Sequence, residues 1–149
     1  MKKAIVASVI AIGSFASPAV AQSAPALTSV AFRSLASPTG SSEQISPGQT
    51  SATKQHRGST LTVVVREIGT GSQRRLSLNG TNWGSNNISS QQGLCNKGGG
   101  VYGTCSSGQS IAAYDITFSV FASGPGTLTY QSTSATSPLR TLSVSINLP

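Results

Sequence analysis

Strict two-residue alternation through the last third of the chain constrains its fold more than any other feature. In residues 111–121, Tyr114, Ile116, Phe118 and Val120 fall on one side, with Asp115, Thr117 and Ser119 on the other. After a turn at Ser123-Gly124-Pro125-Gly126, Leu128 and Tyr130 alternate with Thr127, Thr129 and Gln131. Beyond Ser137-Pro138, Leu142, Val144, Ile146 and Leu148 alternate with Thr141, Ser143, Ser145 and Asn147. Successive side chains of a strand point to opposite faces, so three such runs predict half-buried antiparallel strands. A helix would need apolar residues three and four apart, and no segment after residue 21 shows that period.

The upstream sequence fits the same architecture. Residues 60–68 (TLTVVVREI) are β-branched and mixed on both faces, the pattern of a central strand. Residues 75–78 form a short candidate strand closed by Asn79-Gly80, a dipeptide suited to a two-residue hairpin turn. Residues 79–110 are rich in Gly, Asn and Ser and predict an elaborated loop with one short strand. Residues 22–57 are rich in Ser, Pro, Gly, Gln and Thr, and alternate weakly only around Val30 and Phe32. They predict an edge strand at 27–34 and loop elsewhere. The expectation is an all-β, two-layer antiparallel sandwich, with a core at 58–149 preceded by the 22–57 segment.

Residues 1–21 read as a cleaved secretory signal peptide: Lys2-Lys3, an apolar run too short for a bilayer, then Ala19-Val20-Ala21 before Gln22. The mature chain is then expected to be secreted, periplasmic or on the cell surface, in a bacterium by the style of the signal. It holds no later apolar run long enough for a transmembrane segment. Cys95 and Cys105 are the only cysteines, and in an oxidising compartment an even count predicts a disulfide. Closing so short a loop contributes on the order of 2.5–3 kcal/mol in the chain-entropy account.

The runs Gly58-Ser59-Thr60-Leu61-Thr62-Val63, Ala113-Tyr114-Asp115-Ile116-Thr117-Phe118 and Gly126-Thr127-Leu128-Thr129-Tyr130 resemble strands of bacterial immunoglobulin-like domains. The resemblance covers residues 58–148. It implies an immunoglobulin-like sandwich of the kind found in surface, adhesive or filament proteins. The chain departs from antibody-type domains in two ways: its cysteines are too close to bridge two sheets, and Trp83 precedes both.

Few side chains carry chemistry. Glu43, Glu67 and Asp115 are the only acids, against a formal net charge of +7. A two-carboxylate glycosidase would have to draw on these three, and nothing in the sequence brings them together. His56 is the only histidine and sits in a basic run, Lys54-Gln55-His56-Arg57, without a nucleophile elbow; a solvated loop position is expected. Gly98-Gly99-Gly100-Val101-Tyr102-Gly103 matches a dinucleotide fingerprint in letters only, because no helix follows to receive a pyrophosphate. Those glycines are expected to serve positive φ in the loop closed by the cysteines. Scattered acids predict no metal site, and no cofactor is expected.

Binding is the better prospect. Trp83, flanked by Asn82 and Asn86, offers an aromatic face and amides to a sugar, with Tyr102 as a second platform. Lys54, Arg57, Arg74, Arg75 and Lys97 are candidates for a basic patch, too sparse and too poor in aromatics for nucleic acid. The regular last strand and the loose N-terminal segment suggest strand exchange between copies. The expected function is therefore non-enzymatic: an exported structural or adhesive protein of the cell surface or an extracellular assembly. Its expected partners are further copies, another envelope protein or a glycan. The alternative is a carbohydrate-binding module using Trp83, Asn82, Asn86 and Tyr102.

Overall fold

A computed structural model describes residues 25–39, 42–122 and 124–149. The predicted signal peptide and Ser123 of the predicted turn lie outside the described residues. The strands are β1 (Ser29–Ala36), β2 (Ser42–Gln44), β3 (Leu61–Ile68), β4 (Gly71–Leu78), β5 (Thr81–Trp83), β6 (Ile88–Asn96), β7 (Tyr102–Gly103), β8 (Ala113–Val120), β9 (Gly126–Ser134) and β10 (Thr141–Leu148), with one short 3-10 turn at Ser85–Asn87. They form a six-stranded sheet, β2-β1-β3-β8-β6-β7, and a four-stranded sheet, β10-β9-β4-β5, with antiparallel pairing throughout.

The alternation read from the last third orients the strands as expected. Ile116, Phe118 and Val120 of β8 are buried, as are Leu128 and Tyr130 of β9 and Ile146 and Leu148 of β10. They share one core with Phe32 and Leu35 of β1, Leu61, Val63 and Val65 of β3, and Leu76 and Leu78 of β4. Each such side chain taken from water contributes about 1.5–3 kcal/mol. Phe118 and Tyr130 join the two layers edge to face, with ring centroids 5.8 Å apart. Asn79 and Gly80, at φ 49° and 84°, make the expected hairpin turn between β4 and β5.

Three expectations change. The strand expected at an edge, β1, lies between β2 and β3, because the Ser42–Gln44 segment folds back on it. The described part of 22–57 therefore does not stand apart from a core at 58–149: Phe32, Leu35, Ile45 and Ala52 are core residues. Within the chain, β1 pairs along its length with β3 and at its end with β2. Residues 79–110 hold three strands rather than one. The longest, β6, is exposed from Ser89 to Gln92 and has little apolar patterning. It is a strand because it pairs with β8 from Ile88 to Leu94, a contact that no local pattern announces.

The disulfide forms as predicted. Cys95 of β6 bonds Cys105 just beyond β7, with Cα atoms 4.9 Å apart. It clips the β6–β7 hairpin within the six-stranded sheet rather than joining the layers. Gly98, Gly99 and Gly100 inside the clip all have positive φ, as expected.

Candidate functional site

The three carboxylates of the chain were the residues from which a catalytic site would have to be built. The structure places each in a different setting and gives each its own partner. Glu67 lies on β3 in phase with Leu61, Val63 and Val65, so the alternation that makes the strand also carries this carboxylate into the interior. Tyr130 donates its hydroxyl hydrogen to Oε1 at 2.7 Å, and Arg74 donates from Nε and Nη2 to Oε2 at 3.1 and 2.8 Å. Arg74 reaches it through a bulge in β4 between Ser72 and Arg75, where Gln73 adopts φ 48°. Its remaining arm, Nη1, donates to Gln91 Oε1 at 3.1 Å. Gly71 makes room: a Cβ there would collide with Glu67 Oε1 and with the Ser132 hydroxyl.

Burial on its own would raise the Glu67 pKa, but hydrogen bonds from Arg74, Ser132 and Tyr130 outweigh it and hold the carboxyl below its usual range. Burial and the Glu67 charge push the Tyr130 hydroxyl well above its ordinary value. At neutral pH the result is a charged carboxylate, a protonated phenol and a guanidinium, with Glu67 fully enclosed. No substrate reaches Glu67 in this arrangement.

Glu43, on β2, is also buried, but its partners are mostly backbone. Its oxygens accept from the N–H groups of Thr53 and Lys54, from Thr53 Oγ1 and from Gln49 Nε2, at 2.8–3.0 Å. Burial opposes ionisation here too, and these donors overcome it, lowering the pKa to about 2. His56 places Nε2 3.6 Å from Glu43 Oε2, with its side chain 1% exposed. The expected solvated histidine is thus a buried one: the chain from Ile45 to His56 wraps over Glu43 and carries the ring inward with it.

Asp115, on β8, lies opposite Arg66 of β3, on the other face of the sheet from Glu67. Arg66 grips it with two hydrogen bonds, 2.8 and 2.7 Å, and stacks 6.0 Å from the centroid of the Tyr102 ring. The Asp115 bond, aided by charge attraction, outweighs burial and raises the Arg66 pKa. None of the three carboxylates shares a cleft with another, and among the described residues no group of three His, Cys, Asp or Glu side chains could hold a metal ion.

The basic candidates do not gather into one patch. Lys54 and Arg57 lie beside the β2 edge, where the Lys54 amine donates to the Ser42 carbonyl. Lys97 lies on the β6–β7 hairpin and donates to Gln109. These are opposite margins of the six-stranded sheet, roughly 24 Å apart at ordinary strand spacing. Arg74 turns inward to Glu67, and Arg75 faces out from the other sheet, because adjacent residues of a strand point to opposite sides.

The sugar-binding candidates divide as well. Trp83 ends β5 and packs half-buried against the core. Asn82 is exposed beside it, its amide donating to the Gly80 carbonyl, and Asn86 is exposed on the 3-10 turn. Tyr102 pairs with Asn96 at the far end of β6, so the length of that strand, about 26 Å, separates it from the Trp83 end. The aromatic residue that does join Trp83 is Phe121. Together with Leu78, Asn79, Thr81 and Ala122 they line an open recess of about 170 Å³, and Phe121 is 82% exposed. Its signal was in the sequence: Phe121 follows the inward Val120 and is therefore a large aromatic residue out of phase with the core.

Residues 17–148 match the family described as Domain of unknown function (DUF4879). No curated protein and no solved structure matches the chain.

Proposed function

We propose that this chain, which belongs to the DUF4879 family, is an exported, non-enzymatic contact protein, structural or adhesive, that acts on an anionic cell surface or extracellular polymer. The observation that carries this reading is the fate of the charges. All three carboxylates are engaged internally, and two of them neutralise Arg66 and Arg74. The exposed cations Lys54, Arg57, Arg75, Lys97 and Arg140 then face solvent with no free side-chain carboxylate to offset them. Spread cations of this kind suit a repeating polyanion, which can be touched at several margins at once, better than a compact ligand.

An immunoglobulin-like sandwich is part of the same reading. The order β1-β3-β8-β6 in one sheet and β10-β9-β4-β5 in the other supports it. These orders correspond to the two sheets of that fold with one added edge strand, β2 and β7 being short additions at the margins.

The test is retention of the folded chain on a sulfated polysaccharide and on neutral dextran, across ionic strength. Retention on the polyanion alone, lost steeply as salt rises, is the expected result. Equal retention on both matrices, or on neither at low salt, overturns the reading. A second reading has its own observation, the Trp83–Phe121 recess, which sets an exposed aromatic face beside Asn79 and Thr81 as a site for a neutral sugar would. Phe121→Ala is the clean probe of it, because Phe121 is exposed whereas Trp83 also packs against the core.

A further inference from the structure

The two sheets end in four strands, of which β2 and β5 have three residues each and β7 has two, covering only Cys95 and Asn96 of β6. The fourth, β10, has eight residues and carries no charged side chain and no proline. At its end the margin is covered, since Asn147 donates to the Thr50 carbonyl and accepts from the Ala52 N–H. Those two bonds also fix which way the backbone points. Asn147 turns its amide and carbonyl away from β9, so Thr141, Ser143 and Ser145 do the same by the alternation of an antiparallel ladder. Among the described residues no strand pairs with these three positions on the side away from β9.

We infer that this open stretch of β10 pairs with the same stretch of a second copy, antiparallel about a two-fold axis at Ser143. That register sets Thr141 opposite Ser145 of the other copy and Ser143 opposite itself, using every outward N–H and C=O of the three residues. Both faces match. On the outer face, hydroxyls meet hydroxyls, continuing the ladder already formed by Thr133 with Thr141 and Thr129 with Ser145, each 2.8 Å apart. On the inner face, Leu142, which is half-buried, meets Val144, half-buried likewise. The register also ends where it must. The partner strand begins at Thr141, opposite Ser145, just before the lane that Ser51 occupies beside Asn147. The absence of charge matters because natural sheet margins use charge or proline to prevent this association.

The pairing deepens the contact reading by naming the assembly: two copies double the cationic margins offered to a polymer. It is tested by light scattering of the folded chain over a wide concentration range, with Ser143→Pro, Ser143→Lys and Gln131→Lys compared. The Ser143 N–H faces away from β9, so proline there removes no bond of the monomer. A concentration-dependent dimer is expected, weakened roughly tenfold or more by either Ser143 substitution, because the central pair of bonds is lost or a like charge meets itself. Gln131→Lys adds the same charge to the same face one strand inward and is expected to leave the dimer. A chain that is monomeric throughout, or a dimer that Ser143→Pro leaves intact, overturns the pairing. If that monomer still binds the polyanion, the contact reading stands without it.

Discussion

Glu67 and Glu43 are both buried carboxylates held ionised, yet they are held by different kinds of partner. Glu67 is bound by side chains that cross between layers: it comes from the six-stranded sheet, and Arg74 and Tyr130 come from the four-stranded one. Glu43 is bound mainly by the backbone of Thr53 and Lys54, ten and eleven residues downstream of it. The first tie joins the halves of the domain, and the second pins a loop. A buried charge therefore has global or local consequences according to where its partners lie in the topology. Depth of burial does not decide it.

The largest effect expected from breaking this contrast is at the interlayer tie. Glu67→Ala leaves the Arg74 guanidinium and the Tyr130 hydroxyl facing each other without an acceptor. A loss of about 3–5 kcal/mol is expected, read as a lowered denaturant midpoint for the whole domain in one cooperative transition. Two separated transitions, or a loss under about 1 kcal/mol, would show that the layers do not depend on this carboxylate.

Glu43→Ala is expected to cost roughly 1–3 kcal/mol, because its donors are backbone groups that water can partly satisfy once the loop lifts. Hydrogen exchange should quicken first in residues 45–56, with β3 and β8 still protected. The acid limb sharpens the comparison. Both carboxyls titrate below their ordinary value of 4.5, so the unfolded chain binds protons first as pH falls. Their stabilisation is complete above that value and drains away below it, towards about 2 for Glu43. Glu43→Ala should therefore flatten the stability curve below pH 4.5, and an unchanged acid limb would contradict the assignment.

The smallest effect is expected at Arg66 and Asp115, a pair of good geometry that remains partly exposed, with side chains 18% and 21% accessible. A double-mutant cycle there should return no more than about 1 kcal/mol. A coupling as large as the Glu67 effect would mean that partner identity matters less than geometry.

Much of the interlayer site was legible before folding. Leu61, Val63, Val65 and Glu67 share one phase, and Tyr130 follows Leu128 in another, so both polar groups could be placed inward by counting in twos. Their meeting was not legible. Arg74 shares the phase of Leu76 and Leu78, but only the bulge at Gln73 and the pairing of β4 with β9 bring its guanidinium to Glu67. The Glu43 site was still less visible, because Ser42–Gln44 has neither alternation nor β-branched residues. It is a strand through its pairing with β1, and its carboxylate is ionised through a loop that folds over it.

The sequence by itself determined the all-β class, the inward faces of β8, β9 and β10, the Asn79-Gly80 turn and the short-loop disulfide. All of these rest on local rules of alternation, turn chemistry and cysteine spacing. Tertiary structure alone decided that β1 is interior, that β6 is a strand, that the basic residues scatter, that Tyr102 is remote from Trp83 and that each carboxylate has its own partner. Those outcomes depend on which strands pair and in what register. Pairing brings together residues far apart in the chain, and no local pattern specifies it.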